Sequence, residues 1–345
     1  MTRYNHELKI SFATPCDGLT PYEGKIWYNA VVHDDVVRVT PTGISFEFTR
    51  AKRMKPDRWM DNRCRAYELE RSLMYVLGNV GYAPEISGCN LLVKGAAVGD
   101  GPLAPELSRL IRTHLADDAS STMPADVDLS CLFEGGALGN TVYTCLSFLY
   151  ASRAKAPANE RFRLLWSGFN TLYRYAYARD QKVSSGREFE QLAHVCEIIQ
   201  GTCPMQHSLL VYRRHRDQIL GGINLFAYAS RRLQDGKRQQ RLKRMDGALL
   251  DRMKCLKRRS SETFLVDRES MRWAYSCTPR QDDRVEIGFL VCEYLYALRN
   301  RYFHGVASYP LFFDKPDPLL DALCDLLEAS VLDLLDYLIS LPLAD

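Results

Sequence analysis

Near the end of the chain, "VCEYLYALRNRYFHG" (residues 291–305) brings Arg299, Asn300 and His304 together. An imidazole titrates near neutral pH, so His304 can give or take a proton. A guanidinium offers an anion a planar fork of donors, and an amide can orient either partner. On a helix turning about 100° per residue, His304 lies ~140° from Arg299, with Asn300 between them. Asn300 and His304 are an i, i+4 pair on one face. Leu295, Tyr296, Arg299 and Phe303 form the adjoining stripe, so the polar cluster falls at the rim of a packed face. Glu293, seven residues before Asn300, falls on the same side as a candidate supporting residue. Two readings compete. In one, Arg299 and Arg301 complement the helix dipole and His304 bonds the last carbonyls before Gly305. In the other, the three side chains form a metal-independent RNA-cleaving site.

The bare Arg-x4–6-His spacing does not choose between them, because about two such pairs are expected from composition alone. Three occur: Arg109 to His114, Arg187 to His194, and Arg299 to His304. The third alone has an asparagine directly after the arginine and a long apolar helix pattern before it, stopped by glycine. The other two read as background.

The elements that must position this cluster change character along the chain. Residues 5–50 alternate apolar and polar side chains, as in Leu8, Ile10 and Phe12, between Gly, Pro and Asp turns. That pattern predicts an antiparallel sheet. A helix follows at "DNRCRAYELERSLMYVLG", then one more strand in "ISGCNLLVKGAAV" and a polar linker around residues 116–128. After about residue 130 helix patterns dominate. "LGNTVYTCLSFLYASRA" and "NERFRLLWSGFNTLYRYAYARD" read as a helix pair, with Asn159 a candidate cap for the second. "SSGREFEQLAHVCEIIQ", residues 208–260, and "RVEIGFLVCEYLYALRNRYF" continue the helical series. In the final helix the leucines from Leu319 to Leu338 recur at helical spacing, so it packs a core. The expected fold class is therefore α+β: a β-rich domain over residues 1–130, then an all-α bundle over 131–345.

The 345 residues are 46% hydrophobic and 25% charged, ordinary for a globular protein, and the net charge of +3 names no partner. Its distribution says more. Arg231 to Arg259 holds twelve Lys and Arg against three Asp, a local charge of +9. Within it Arg241, Lys243, Arg244, Lys257, Arg258 and Arg259 are candidate phosphate-binding residues, although little aromatic interleaving speaks for base stacking. Asp314 to Asp345 holds eight acids against Lys315, a solvated face. Eleven cysteines include no CxxC and no zinc spacing, and no metal or cofactor motif is expected. "FEGGALGN" lacks the Lys-Ser/Thr of a phosphate loop, and nucleophile signatures are absent. No apolar run reaches signal-peptide or membrane-span length, so the expected setting is a reducing cytoplasm without membrane contact.

"LRNRYFHG" resembles the R-N-x-x-x-H signature of HEPN-domain ribonucleases, and "RFRLLWSGFNTLYRYAY" (161–177) resembles the aromatic-and-Asn helix early in many stand-alone HEPN domains. The resemblance covers roughly residues 130–345, and its order fits: aromatic helix first, Arg–His helix near the end, one amphipathic helix after it. It implies a homodimer that pairs two motifs across its interface, each subunit supplying Arg299, Asn300 and His304. One imidazole would take the proton of the RNA 2′-hydroxyl while the other protonates the departing 5′-oxygen. Arg299 would stabilise the phosphorane and Asn300 would orient the phosphate or the imidazole. The products would be a 2′,3′-cyclic phosphate and a 5′-hydroxyl, with DNA inert. The family's setting implies antiphage defence or toxin–antitoxin growth arrest in bacterial cytoplasm, with an antitoxin or activating partner. Residues 1–130 would then sense or recruit. Trp166, Phe169 and Leu172 read as core. Asn170 is a second candidate supporting residue, though a buried amide satisfied by a neighbouring helix also explains it. The rival from another class is a non-catalytic HEPN-type module that binds RNA or protein, with His304 as a helix cap.

Overall fold

Strict alternation in the first fifty residues builds the sheet that it predicts. In the computed structural model, which describes residues 4–28, 31–50, 63–93, 96–100, 127–134, 136–153, 157–182, 186–222, 283–303 and 317–342, β1 (Tyr4–Phe12), β2 (Tyr22–Tyr28), β3 (Val31–Thr40) and β4 (Gly43–Arg50) come first. Helix α1 (Arg63–Val80), β5 (Ile86–Val93) and β6 (Ala96–Asp100) follow. The six strands lie in the order β2-β3-β4-β1-β5-β6, each antiparallel to its neighbours. Since β4 and β5 flank β1, they run parallel to each other, and α1 is the crossover between them. Leu8, Ile10 and Phe12 are buried on one face of β1. Leu8 lies opposite Phe46 and Leu91, and Ile10 opposite Ile44 and Cys89, so three strands feed one apolar face. The single strand expected at "ISGCNLLVKGAAV" is two strands, because β5 and β6 pair antiparallel with Val93 opposite Ala96.

The chain divides into two compact units, Met1–Ala156 and Pro157–Asp345. The composition break lies near residue 130, and the helix that follows it, α2 (Ala137–Arg153), falls within the first unit. Arg71 links it there. Its buried guanidinium donates to the Leu132 carbonyl at 2.7 Å and to Asn140 Oδ1, and it lies over the rings of Tyr67 and Tyr143 at 4.6 and 5.7 Å. That clamp ties α1 to the 3-10 turn Leu129–Phe133 and to α2.

One turn from the clamp, Glu68 is 8% exposed and its Oε1 meets no donor among the described residues. Burial pushes its pKa up to about 8, against the opposing pull of Arg71. The folded state therefore holds this proton more tightly than the unfolded chain does. Its stabilising contribution is complete below the unfolded pKa near 4.5 and is lost as pH rises through 8. Glu68→Gln should flatten the wild-type decline of stability between pH 5 and 8, a decline of up to roughly 4 kcal/mol. Urea unfolding of the two proteins at both pH values checks this, and parallel pH profiles would contradict it.

The described elements of the second unit are all helices: α3 (Ala158–Gln181), α4 (Glu188–Gly201), α5 (Gln206–Gly222), α6 and α7 (Pro318–Ser340). Helix α6 is built in three runs, Asp283–Phe289, a π-helical turn Leu290–Tyr294, and Leu295–Phe303. Leucines at helical spacing bury one broad side of α7, and the helix packs on α3 and α5. Arg161 of α3 pairs with Asp325 and Glu328 of α7, both at 2.8 Å. Asp317 caps α7 through the Leu320 amide at 3.0 Å, with Pro318 pre-set for the first turn. Asn159 sits inside the first turn of α3 rather than at its cap, where Pro157 stands. Its Oδ1 accepts from the Glu160 amide at 2.8 Å.

Among the described residues, no helix is long and apolar enough to cross a membrane. Cys16, Cys145, Cys196 and Cys292 are buried free thiols.

Candidate functional site

Helix α6 is placed by its apolar side chains. Ile287, Phe289, Leu290, Val291, Cys292 and Leu295 are all buried. Gly288 lets the helix approach α4: a Cβ there would lie 3.1 Å from Cys196 Sγ and from the Gln200 side chain. The π-helical turn then widens one coil of α6, so residues beyond Tyr294 no longer keep the phase that uniform 100° steps would give them. Glu293 sits inside that turn at 1% exposure, whereas Arg299 and Asn300 are half-buried near the far end of the helix. Glu293 is thus separated from Asn300 by about 10 Å of helix rise. It is a buried acid two turns before the pair.

Arg299 and Asn300 do come together. Arg299 Nη1 donates to Asn300 Oδ1 at 3.0 Å. The same nitrogen lies 3.6 Å from Oε2 of Glu188, at the start of α4, and the two side chains are 24% and 33% exposed. The other carboxylate oxygen of Glu188 accepts from the Tyr173 hydroxyl at 2.9 Å. Tyr173 is fully buried on α3. Burial, then the Glu188 charge and hydrogen bond, push its pKa up, so the phenol stays protonated and remains a donor. The site is a line of side chains from three helices: Tyr173, Glu188, Arg299 and Asn300.

An aromatic wall on α3 backs this line. Trp166 packs against Phe162, Phe169 and Tyr173 within its own helix, and its ring centroid lies 6.3 Å from that of Tyr296 on α6. Trp166, Phe169 and Leu172 are core residues. Asn170 departs from the expectation of a satisfied amide. Its Oδ1 is buried and meets no donor among the described residues, and Trp166 Nε1, one turn earlier, meets no acceptor there.

His304 lies outside the described residues, as do Arg241, Lys243, Arg244, Lys257, Arg258 and Arg259, and the pair Arg109 and His114. The remaining Arg–His pair is structural. His194 Nε2 meets Asp180 Oδ2 at 2.8 Å and the ring stands edge-on to Tyr177, while Arg187 takes the cap position of α4.

Glu188 and Tyr173 escaped the sequence reading. An acid in the first turn of a helix is explained by the dipole alone, and nothing in the spacing of "GREFEQ" points to Arg299. The tyrosine was one aromatic among several on α3. Among the described residues, no group of three or more His, Cys, Asp or Glu could hold a metal ion. The chain matches no family model, no curated protein and no solved structure.

Proposed function

We propose that this chain is a metal-independent, homodimeric endoribonuclease that cleaves RNA by 2′-OH transesterification at Arg299, Asn300 and His304. The observation that carries the reading is the Arg299–Asn300 pair, hydrogen-bonded at 3.0 Å on the half-buried end of α6 and backed by the aromatic wall of α3. A guanidinium held by its neighbours and reached by solvent is suited to a phosphate. In the reaction, the 2′-oxygen attacks phosphorus and the bond to the 5′-oxygen breaks. One His304 takes the 2′-proton and the partner's His304 supplies a proton to the leaving oxygen. Arg299 stabilises the negative charge that accumulates on the phosphorane.

The basic segment with Arg241, Lys243, Arg244, Lys257, Arg258 and Arg259 would attract the RNA backbone by counterion release. The setting that fits is bacterial antiphage defence or toxin–antitoxin growth arrest, with an antitoxin or activating partner holding the enzyme in check. A second reading, an RNA- or protein-binding HEPN-type module without catalysis, draws on the Glu188–Arg299 pair, which gives the arginine a structural partner.

Purified protein and His304→Ala should be incubated in excess EDTA with labelled RNA and with its all-deoxy counterpart. The enzyme reading expects wild type to cut RNA and leave DNA intact, and the variant to cut neither. RNA bound equally by both proteins and cut by neither supports the module.

A further inference from the structure

We infer that Glu188 is a positioning residue for Arg299, one that fixes the guanidinium for the transition state while competing with RNA phosphate in the ground state. This rests on the ribonuclease reading of Arg299. The carboxylate is held at both ends: Oε1 by the buried Tyr173 hydroxyl at 2.9 Å, Oε2 by Arg299 Nη1 at 3.6 Å. It cannot turn away without stranding a buried phenol donor. Arg299 Nη1 also donates to Asn300 Oδ1 at 3.0 Å, so the guanidinium is fixed from a second side.

A scissile phosphate seated on Arg299 meets the Glu188 charge a few ångströms beyond. That repulsion weakens ground-state binding. The same anchor holds the arginine fork still when the phosphorane gains its extra negative charge, and that orientation is what the chemical step needs. Glu188 therefore acts through Arg299 and touches no reacting atom.

Glu188→Gln keeps an oxygen for the Tyr173 hydroxyl and removes only the charge. The probe is an all-2′-O-methyl RNA oligonucleotide, which binds but carries no 2′-hydroxyl to attack. Its affinity is measured by fluorescence anisotropy at fixed salt for wild type, Glu188→Gln, Arg299→Ala and the double variant. The expected result is roughly 2–5-fold tighter binding by Glu188→Gln, weaker binding by Arg299→Ala, and no gain from Glu188→Gln in the Arg299→Ala background. With cleavable RNA, Glu188→Gln should lower KM and lower kcat together, whereas a merely structural loss would not tighten binding. Tyr173→Phe should lower kcat and leave affinity unchanged, because the carboxylate keeps its charge.

If Arg299→Ala weakens binding but Glu188→Gln binds as wild type does, the positioning role fails alone. A Glu188→Gln gain that survives without Arg299 is a general charge effect and also overturns it. If Arg299→Ala binds like wild type, the phosphate role of Arg299 fails, and this inference fails with it.

Discussion

Arg299→Ala should reduce RNA cleavage by roughly 10²–10³-fold in kcat, the usual cost of removing one donor aimed at developing negative charge. The side chain is about a quarter exposed, and it pairs with the part-exposed Glu188 and with the neighbouring Asn300. A part-exposed ion pair contributes little to stability, so the melting temperature should move by only a few degrees. Lysine at the same position keeps a charge but not a planar fork, so Arg299→Lys should recover a small part of the rate. The pair of measurements separates a guanidinium that binds the transition state from one that only anchors a helix end. An anchor would show its effect in stability, with cleavage intact per folded molecule. Single-turnover rates set beside thermal melts of all three proteins decide the matter.

Asp333→Ala should cost the helical unit about 3–5 kcal/mol, as expected when a buried, multiply bonded carboxylate is removed. Asp333 is 4% exposed on α7. Its Oδ1 accepts from the His207 amide at 3.0 Å and stands 2.9 Å from His207 Nδ1. Its Oδ2 accepts from the Ser208 amide at 2.8 Å and the Ser208 hydroxyl at 2.6 Å. These amides belong to the first turn of α5, so a side chain from another helix does the work of an N-cap. Alanine would leave several donors without an acceptor, at about 1–3 kcal/mol for each that stays dry. In a unit of this size the expected fall in Tm is roughly 10 °C. Asp333→Asn, which keeps one oxygen, should cost less. A change of under 2 °C for Asp333→Ala would mean that water replaces the carboxylate without loss.

What was legible in the sequence, and what was not, follows from the range of the interactions. Leu8, Ile10 and Phe12 announce a half-buried strand because side chains alternate every residue, and Leu319 to Leu338 announce a packed helix because they recur every turn. Both patterns are local. The link from α1 to α2 was hidden, because Arg71 reaches Leu132 and Asn140 over a sequence distance that no spacing encodes. The π-helical turn at Leu290–Tyr294 was hidden as well, and it breaks the uniform winding that relates Glu293 to Asn300. The adjacency of Arg299 and Asn300 was readable from two consecutive letters. Glu188 and Tyr173 were not, because they reach the site from two other helices. Asp333 looked like one acid of a solvated face, and only the fold turns it inward onto α5.

The central claim is that the RNA supplies its own nucleophile and two His304 imidazoles move the protons. The chemistry of the cut ends tests it most directly. RNA incubated with the protein in excess EDTA should yield 2′,3′-cyclic phosphate and 5′-hydroxyl termini by mass spectrometry, and His304→Ala should yield neither. Termini bearing 3′-hydroxyl and 5′-phosphate, or the same cyclic products from His304→Ala, would contradict the account.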